Sequence, residues 1–327
     1  MLIKKKIDLK SNLVRIIIYN ITMATHNTKL KIQKPFLKWV GGKTQIIDTI
    51  ISKIPDVMEN YHEPFVGGGS VLFAVLSLQR QNKIQINGKL FVSDVNRALI
   101  NVYKHIQTNY VELHDCIQNY MNVYDSLKGN EINRKPRDID EATTSKESYY
   151  YWMRDKYNQT EDDTIDKAAL FMILNKTCFR GMYREGPNGF NVPYGHYKKT
   201  PHIVNLSELK MLSELTQDVV FMCNDFAASL EMVKSGDFVY LDPPYAPETD
   251  KSFVGYVADG FNLDMHLKLF DMVKNIPDIH FAMSNSNVDL VRDTFEGYSI
   301  DEITARRAIN SKNPGSKTKE VLIYNKK

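Results

Sequence analysis

Histidine and cysteine are scarce in this 327-residue chain, eight and three respectively, and neither is arranged to hold a metal. No pair of histidines sits at helical ligand spacing with a carboxylate, which argues against a metal site. Cys116, Cys178 and Cys223 show neither ligand spacing nor a disulfide framework, so an intracellular, reducing compartment is expected. Long apolar runs are missing too. None approaches the length needed to span a bilayer, and Ile16-Ile17-Ile18 is too short even for a signal core. No internal repeat is visible. Net charge is small, +3, so any basic surface must be local, near Lys198-Lys199 and between Arg306-Arg307 and Lys319.

What the chain does have is Asp242-Pro243-Pro244-Tyr245, directly after an apolar run, Asp237 to Leu241, that reads as a buried strand ending at the carboxyl edge of a sheet. This combination points to methyl transfer to an amino nitrogen. The lone pair of a nucleobase amine is delocalised into its ring, so a catalyst has to draw density back. Asp242 would accept one amine hydrogen, the Pro243 carbonyl would accept the other, and Tyr245 would stack on the base. Pro243 and Pro244 stiffen the backbone and so place these acceptors in advance. A plain turn after a strand uses the same residue types.

Two upstream segments favour the chemical reading. Glu63-Pro64-Phe65-Val66-Gly67-Gly68-Gly69-Ser70 reads as a strand end, a glycine turn and a helix start, with Ser70 expected as the cap. Glycine lets a ligand approach the main chain. The next strand, Lys89 to Ser93, ends in Asp94 roughly 25 residues later, a spacing at which an acidic residue binds a ribose hydroxyl pair. Asp94 also suits a helix cap before Val95-Asn96-Arg97. The other segment, Phe36-Leu37-Lys38-Trp39-Val40-Gly41-Gly42-Lys43, precedes a helix expected from Thr44 to Ile54. Read alone it is a helix N-terminus with a solvated lysine; beside the other two segments, Lys43 would neutralise a carboxylate and Trp39 would cover an adenine or a sulfonium.

Together the three segments resemble the Dam-type, D12 class DNA adenine-amino methyltransferases, in which the same elements occur in this order. The resemblance runs from about Pro35 to Tyr324, and cofactor loop before insert before catalytic motif is the family's alpha ordering. It implies an adenine-specific DNA methyltransferase acting on double-stranded DNA with S-adenosyl-L-methionine as donor. Trp39, Lys43, Phe65, Gly67, Gly69, Asp94 and Asp242 would hold the cofactor, and Asp242 to Tyr245 a flipped adenine. Asp225, ending a strand at Asn224-Asp225-Phe226, would accept the cofactor's adenine amine or cap the following helix. A cognate restriction endonuclease acting on the same site, without direct contact, is a partner the family allows. Gly68 departs from the Ala or Cys of many relatives, which should not matter for binding.

Between the two halves lies Asn175 to Arg184, continuing from Gly189 to Lys199, a mixture of aromatics, glycines and cations suited to entering a groove. By resemblance Phe179 fills space near the extruded adenine and Arg184 reads a base edge. Arg180, Met182, Asn191, Tyr194, Lys198, Lys199, Arg307 and Lys312 complete the expected DNA-contacting set. GATC-specific relatives usually carry Asn where Arg180 stands and Leu where Met182 stands, and Arg offers only donors. A short palindrome such as GATC is the leading expectation.

Residues 1–30 read as an appendage, and Met23 is an alternative start. The rest is expected to be α/β, a doubly wound, mostly parallel Rossmann-like methyltransferase sheet from 31–100 and 219–327, with a mainly helical target-recognition subdomain inserted at 101–218. Residues 127–148 are polar and lack apolar periodicity, so a flexible loop is expected there. Strands are expected at Val219 to Cys223, Phe238 to Leu241, Ile279 to Met283 and Val321 to Tyr324, and helices at Ala98 to Tyr124, Tyr149 to Leu174 and Asn262 to Asn275. Two other functions share parts of this pattern: amino methylation of RNA or of protein glutamine, and DNA binding by a non-catalytic relative. The Asn175 to Gly195 block disfavours the first, and the intact Lys43 and Asp242 disfavour the second.

Overall fold

A computed structural model describes residues 31–247, 261–306 and 317–325. The chain divides after Ile32, and every described strand and helix belongs to the unit from Gln33 on. The expected appendage, Arg307 and Lys312 lie outside the described residues.

Seven strands form the central sheet: β1 Tyr61–Glu63, β2 Leu90–Ser93, β3 Val219–Met222, β4 Phe238–Leu241, β5 His280–Ser286, β6 Ser299–Arg306 and β7 Lys317–Tyr324. Their spatial order is β6-β7-β5-β4-β1-β2-β3. Neighbours pair in parallel, except that β7 runs antiparallel to β5 and β6. The order reverses at β1, which pairs with β2 on one side and β4 on the other. In open α/β sheets this switch point is where ligands bind, outside the carboxyl ends of the strands.

Helices cover both faces, as a sheet buried on two sides requires. β4 shows the division: Phe238 and Tyr240 belong to one apolar cluster, Val239 and Leu241 to the other. The larger cluster takes in α1 Ile47–Ile51, α2 Ser70–Arg80, α3 Arg97–Thr108 and the inserted helices α4 Tyr110–Ser126, α6 Lys146–Gln159, α7 Ile165–Thr177 and α8 Leu206–Leu215. The smaller lies under α9 Phe226–Leu230, α10 Leu263–Asn275 and α11 Asp289–Thr294. The fold is therefore the expected doubly wound α/β sheet with a helical insert.

Local details differ from the sequence expectations. The helix expected across 98–124 breaks at Asn109, where φ is −135°. The helix expected at 44–54 is a 3-10 turn followed by the short α1. Residues 127–148, expected as a flexible loop, carry helix α5, Ile139–Ala142, capped by Asp138, and an antiparallel bridge between Asn130 and Ser145. Ser148 is fully buried and its hydroxyl oxygen accepts the Asn133 amide at 2.8 Å, so polar residues hold this segment down without apolar periodicity. Strand β6 has no counterpart among the expected strands, because an edge strand that mixes Ile300 and Ile303 with charged residues gives a weak apolar signal.

Candidate active site

Three strand ends meet at the switch point and each delivers a carboxylate: Glu63 from β1, Asp94 after β2, Asp242 after β4. The turn after β1 is held by main-chain bonds from Val66 to the Ser93 carbonyl at 3.0 Å and from Gly69 back to the Val66 carbonyl at 2.8 Å. Gly67 and Gly69 lie in the left-handed region, with φ of 47° and 75°. A Cβ at Gly67 would fall 2.8 Å from the Trp39 ring, and one at Gly68 would fall 2.8 Å from the Trp39 Cβ. Gly68 lets Trp39 lie close on the turn. Trp39 also stacks with Tyr183 and Phe171, at 5.6 and 6.2 Å between ring centroids.

Lys43 joins the motifs. It is only 5% exposed, and its Nζ lies 2.7 Å from Asp242 Oδ2 and 5.1 Å above the Tyr245 ring. The same ammonium donates to the Gly41 carbonyl at 2.5 Å, and the Lys43 amide donates to Ser70 Oγ at 3.3 Å. Ser70 is thus a tie to the Phe36–Lys43 segment, not the cap expected of it. The cap position of α2 is Gly69, with no side-chain bond.

Burial raises the Asp242 carboxyl above its usual range, with a smaller push from Glu320, while the adjacent Lys43 charge works the other way and favours the carboxylate. Asp94 is likewise raised by burial, against main-chain amides that hold its ionised form. Its Oδ2 accepts the Gly67 amide at 3.0 Å and its Oδ1 the Asn96 amide at 2.9 Å. The helix cap at α3 belongs to Asn96, whose side chain accepts the Leu99 amide. Asp94 is left to brace the glycine turn and retains lone pairs for a further donor. Asp225 is exposed and caps α9 through the Ala228 amide at 2.8 Å.

Four residues that shape this site have no role assigned by the sequence patterns. Glu63 is 2% exposed and accepts the Tyr61 hydroxyl at 2.6 Å. Burial, then the like charges of Asp242 and Asp94, push its carboxyl up to about 8. Asn285, fully buried in β5, accepts the Ala246 amide at 3.0 Å, and Ser286 donates to the Ala246 carbonyl at 2.5 Å, so β5 fixes the residue after the tetrapeptide. Glu320 of β7 accepts the Tyr245 hydroxyl at 2.9 Å. For Glu63, Asn285 and Ser286 the available signal is a polar residue at or next to the end of a buried strand, whereas Glu320 lies within β7 and has none. Pro243 is buried and Pro244 exposed.

The loop block from the insert forms an antiparallel stem, with Cys178 bridging Tyr194, and the Asn191 main-chain amide donating to the Arg184 carbonyl at 3.1 Å. Phe179 and Arg180 stand exposed at its start, the guanidinium 5.2 Å over the Phe179 ring. Arg180 has φ 58°, in the left-handed region that Asn adopts more readily than Arg. Arg184 is exposed and donates through Nε to Asn191 Oδ1 at 2.6 Å. Lys198 and Lys199 are exposed, and Met182 is half-buried at the edge of the core. Tyr194 corrects the expectation: its ring is buried and its hydroxyl is spent on Tyr124 at 2.7 Å, so it is a pillar of the helical subdomain and not a surface contact.

The profile of the D12 class N6 adenine-specific DNA methyltransferases matches residues 39–309. The chain belongs to that family. This methyltransferase is 36% identical over 308 residues to the type II methyltransferase M.MjaIII of Methanocaldococcus jannaschii, covering 89% of this chain and 99% of that one. It is 31% identical over 299 residues to the DNA adenine methylase of Haemophilus influenzae, covering 89% and 92%. A solved structure, precorrin-6y C5,15-methyltransferase from Geobacter metallireducens GS-15, overlays over 90% of this chain and 100% of its own at 10% identity and a TM-score of 0.35, a likeness too loose to bear on function. Among the described residues no group of three His, Cys, Asp or Glu is placed to hold a metal, and no helix is long and apolar enough to cross a membrane.

Proposed function

We propose that this family member transfers a methyl group from S-adenosyl-L-methionine to the 6-amino group of an adenine flipped out of a short, palindromic duplex site. The observation that carries the reading is the Lys43 to Asp242 pair at 2.7 Å beside Tyr245, where the strand order reverses. The donor supplies an electrophilic methyl on a sulfonium. The residues present suit it: a glycine turn with room for a close approach, Trp39 upon that turn, and Asp94 at the end of β2 for the ribose hydroxyls. Phe65, stacked on Phe226 at 6.0 Å, offers an apolar wall, and Asp225 an acceptor at the rim.

Asp242 would do its work as a carboxylate. Lys43 favours the ionised form against burial, so it accepts an amine hydrogen and raises electron density on the nitrogen. The Pro243 carbonyl is the second acceptor. Tyr245, anchored by Glu320, presents its ring to the base. The amine's proton leaves to solvent after transfer, so no histidine is required as base. On the DNA side Phe179, Arg180, Arg184, Asn191, Lys198 and Lys199 are the exposed contacts, with Met182 beneath them. GATC is the first site to test. The type II name of one relative makes a restriction endonuclease sharing the site, inside a cell, the natural counterpart.

The experiment is methylation-sensitive sequencing of plasmid DNA from a methylase-deficient strain expressing the chain. N6-methyladenine at one short sequence is expected. Unmodified DNA, or methylated cytosine, would overturn the reading.

A further inference from the structure

Both main-chain groups of Lys38 are held by one side chain, which belongs to the recognition block. Asn175, 4% exposed in the last turn of α7, accepts the Lys38 amide through Oδ1 at 2.9 Å and donates from Nδ2 to the Lys38 carbonyl at 2.7 Å. One amide thereby satisfies both main-chain groups of Lys38, as a strand partner would. On one side of this clamp the chain continues into Trp39 and Lys43, which reach the glycine turn and Asp242. On the other side Asn175 leads within a few residues to Phe179 and Arg180, the exposed residues of the loop.

Two further contacts tighten the same junction. A Cβ at Gly181 would fall 2.5 Å from the Lys38 side chain, so the loop folds directly over it. The Lys38 ammonium donates to the Tyr197 hydroxyl at 3.1 Å, which in turn donates to the Cys178 carbonyl at 3.0 Å. The Phe36–Lys43 segment thus cannot shift on the cofactor side without moving the loop, or the loop without moving Trp39. A rigid element shared by two binding sites couples them, and the coupling acts equally in both directions.

We propose that Asn175 is a positioning residue that links the DNA loop to the cofactor pocket, so that duplex and cofactor strengthen each other's binding through the Asn175 clamp on Lys38. The inference rests on the functional reading above. Asn fits this task because it carries an acceptor and a donor at once, whereas Asp offers only acceptors and deprives the Lys38 carbonyl of its donor.

The test measures the affinity of sinefungin, an unreactive analogue of the donor, by calorimetry, with and without saturating duplex carrying the site that the wild-type enzyme methylates. The wild type should bind sinefungin about tenfold tighter with duplex present. Asn175→Asp should bind it without DNA within about twofold of wild type, yet gain less than about threefold from the duplex. Gly181→Ala, which presses on Lys38 from the loop side, should lose the gain in the same way and serves if Asn175→Asp does not fold. A wild type that binds both ligands with no mutual gain overturns the coupling alone; one that binds neither sinefungin nor duplex overturns the functional reading with it. Variants that keep the wild-type gain, or lose affinity equally with and without duplex, would show Asn175 to be merely structural.

Discussion

The Lys43 ammonium and the Asp242 carboxylate are far apart in the sequence, yet they meet at 2.7 Å because Ser70 and Gly41 hold the lysine's backbone and head group against the end of β4. Their pairing sets the charge state on which the proposed chemistry depends. With Lys43 replaced by Met, burial acts on Asp242 unopposed and its carboxyl rises further. The acid limb of the methylation rate should therefore move to higher pH in Lys43→Met. Single-turnover rates across roughly pH 5 to 9 would show it, and an unmoved limb would mean that Asp242 is not the titrating group.

Glu63 gives a second pH prediction, on stability. Its carboxyl sits at about 8 in the folded chain and near the ordinary 4.5 when unfolded, so between these values the folded state holds the extra proton. Stability should fall as pH rises through that window and level off above it. Glu63→Gln, which mimics the protonated form, should remove this slope. Urea midpoints from about pH 5 to 9 test it, and equal slopes in both proteins would rule out a titrating Glu63.

Asn285 fixes the chain after the tetrapeptide, so Asn285→Leu should leave the buried Ala246 amide without an acceptor. A loss of roughly 1–3 kcal/mol in stability is expected, together with a fall in kcat larger than any change in cofactor affinity. Calorimetry and steady-state rates separate the two effects. A variant with unchanged kcat would show that the tetrapeptide is positioned by its prolines alone.

On the proposed DNA face, Arg184 is oriented by Asn191. Arg184→Ala should relax discrimination at one base pair by about 1–3 kcal/mol, and Asn191→Ala should relax the same base pair by less. Lys198→Ala or Lys199→Ala should instead weaken all duplexes alike and lower the salt slope. Competition among singly substituted duplexes distinguishes these. Uniform loss in Arg184→Ala would make it a phosphate contact.

The sequence reveals this molecule wherever the signal is local. The tetrapeptide, the glycine turn and the Phe36–Lys43 segment are each short, local patterns, and it is their occurrence together that makes Asp242, Gly67 and Lys43 stand out. Strand β4 is apolar throughout because both its faces are covered. Long-range polar ties are invisible at that level: Asn175 to Lys38 spans 137 residues and Ala246 to Asn285 spans 39, and no local pattern marks an amide as a clamp. Tyr194 misleads for the same reason, since an aromatic in a basic loop looks identical whether it faces a groove or, as here, a buried Tyr124. Residues 127–148 show that polar anchoring by Asp138 and Ser148 can replace apolar periodicity.

The role given to Asp242 stands or falls on single-turnover methyl transfer by Asp242→Ala, set beside that variant's affinity for the same duplex. In the proposed mechanism the carboxylate acts on the adenine amine and not on phosphates, so transfer should be abolished while duplex binding stays close to wild type. Transfer within about tenfold of wild type, a barrier change near 1.4 kcal/mol, would refute that role.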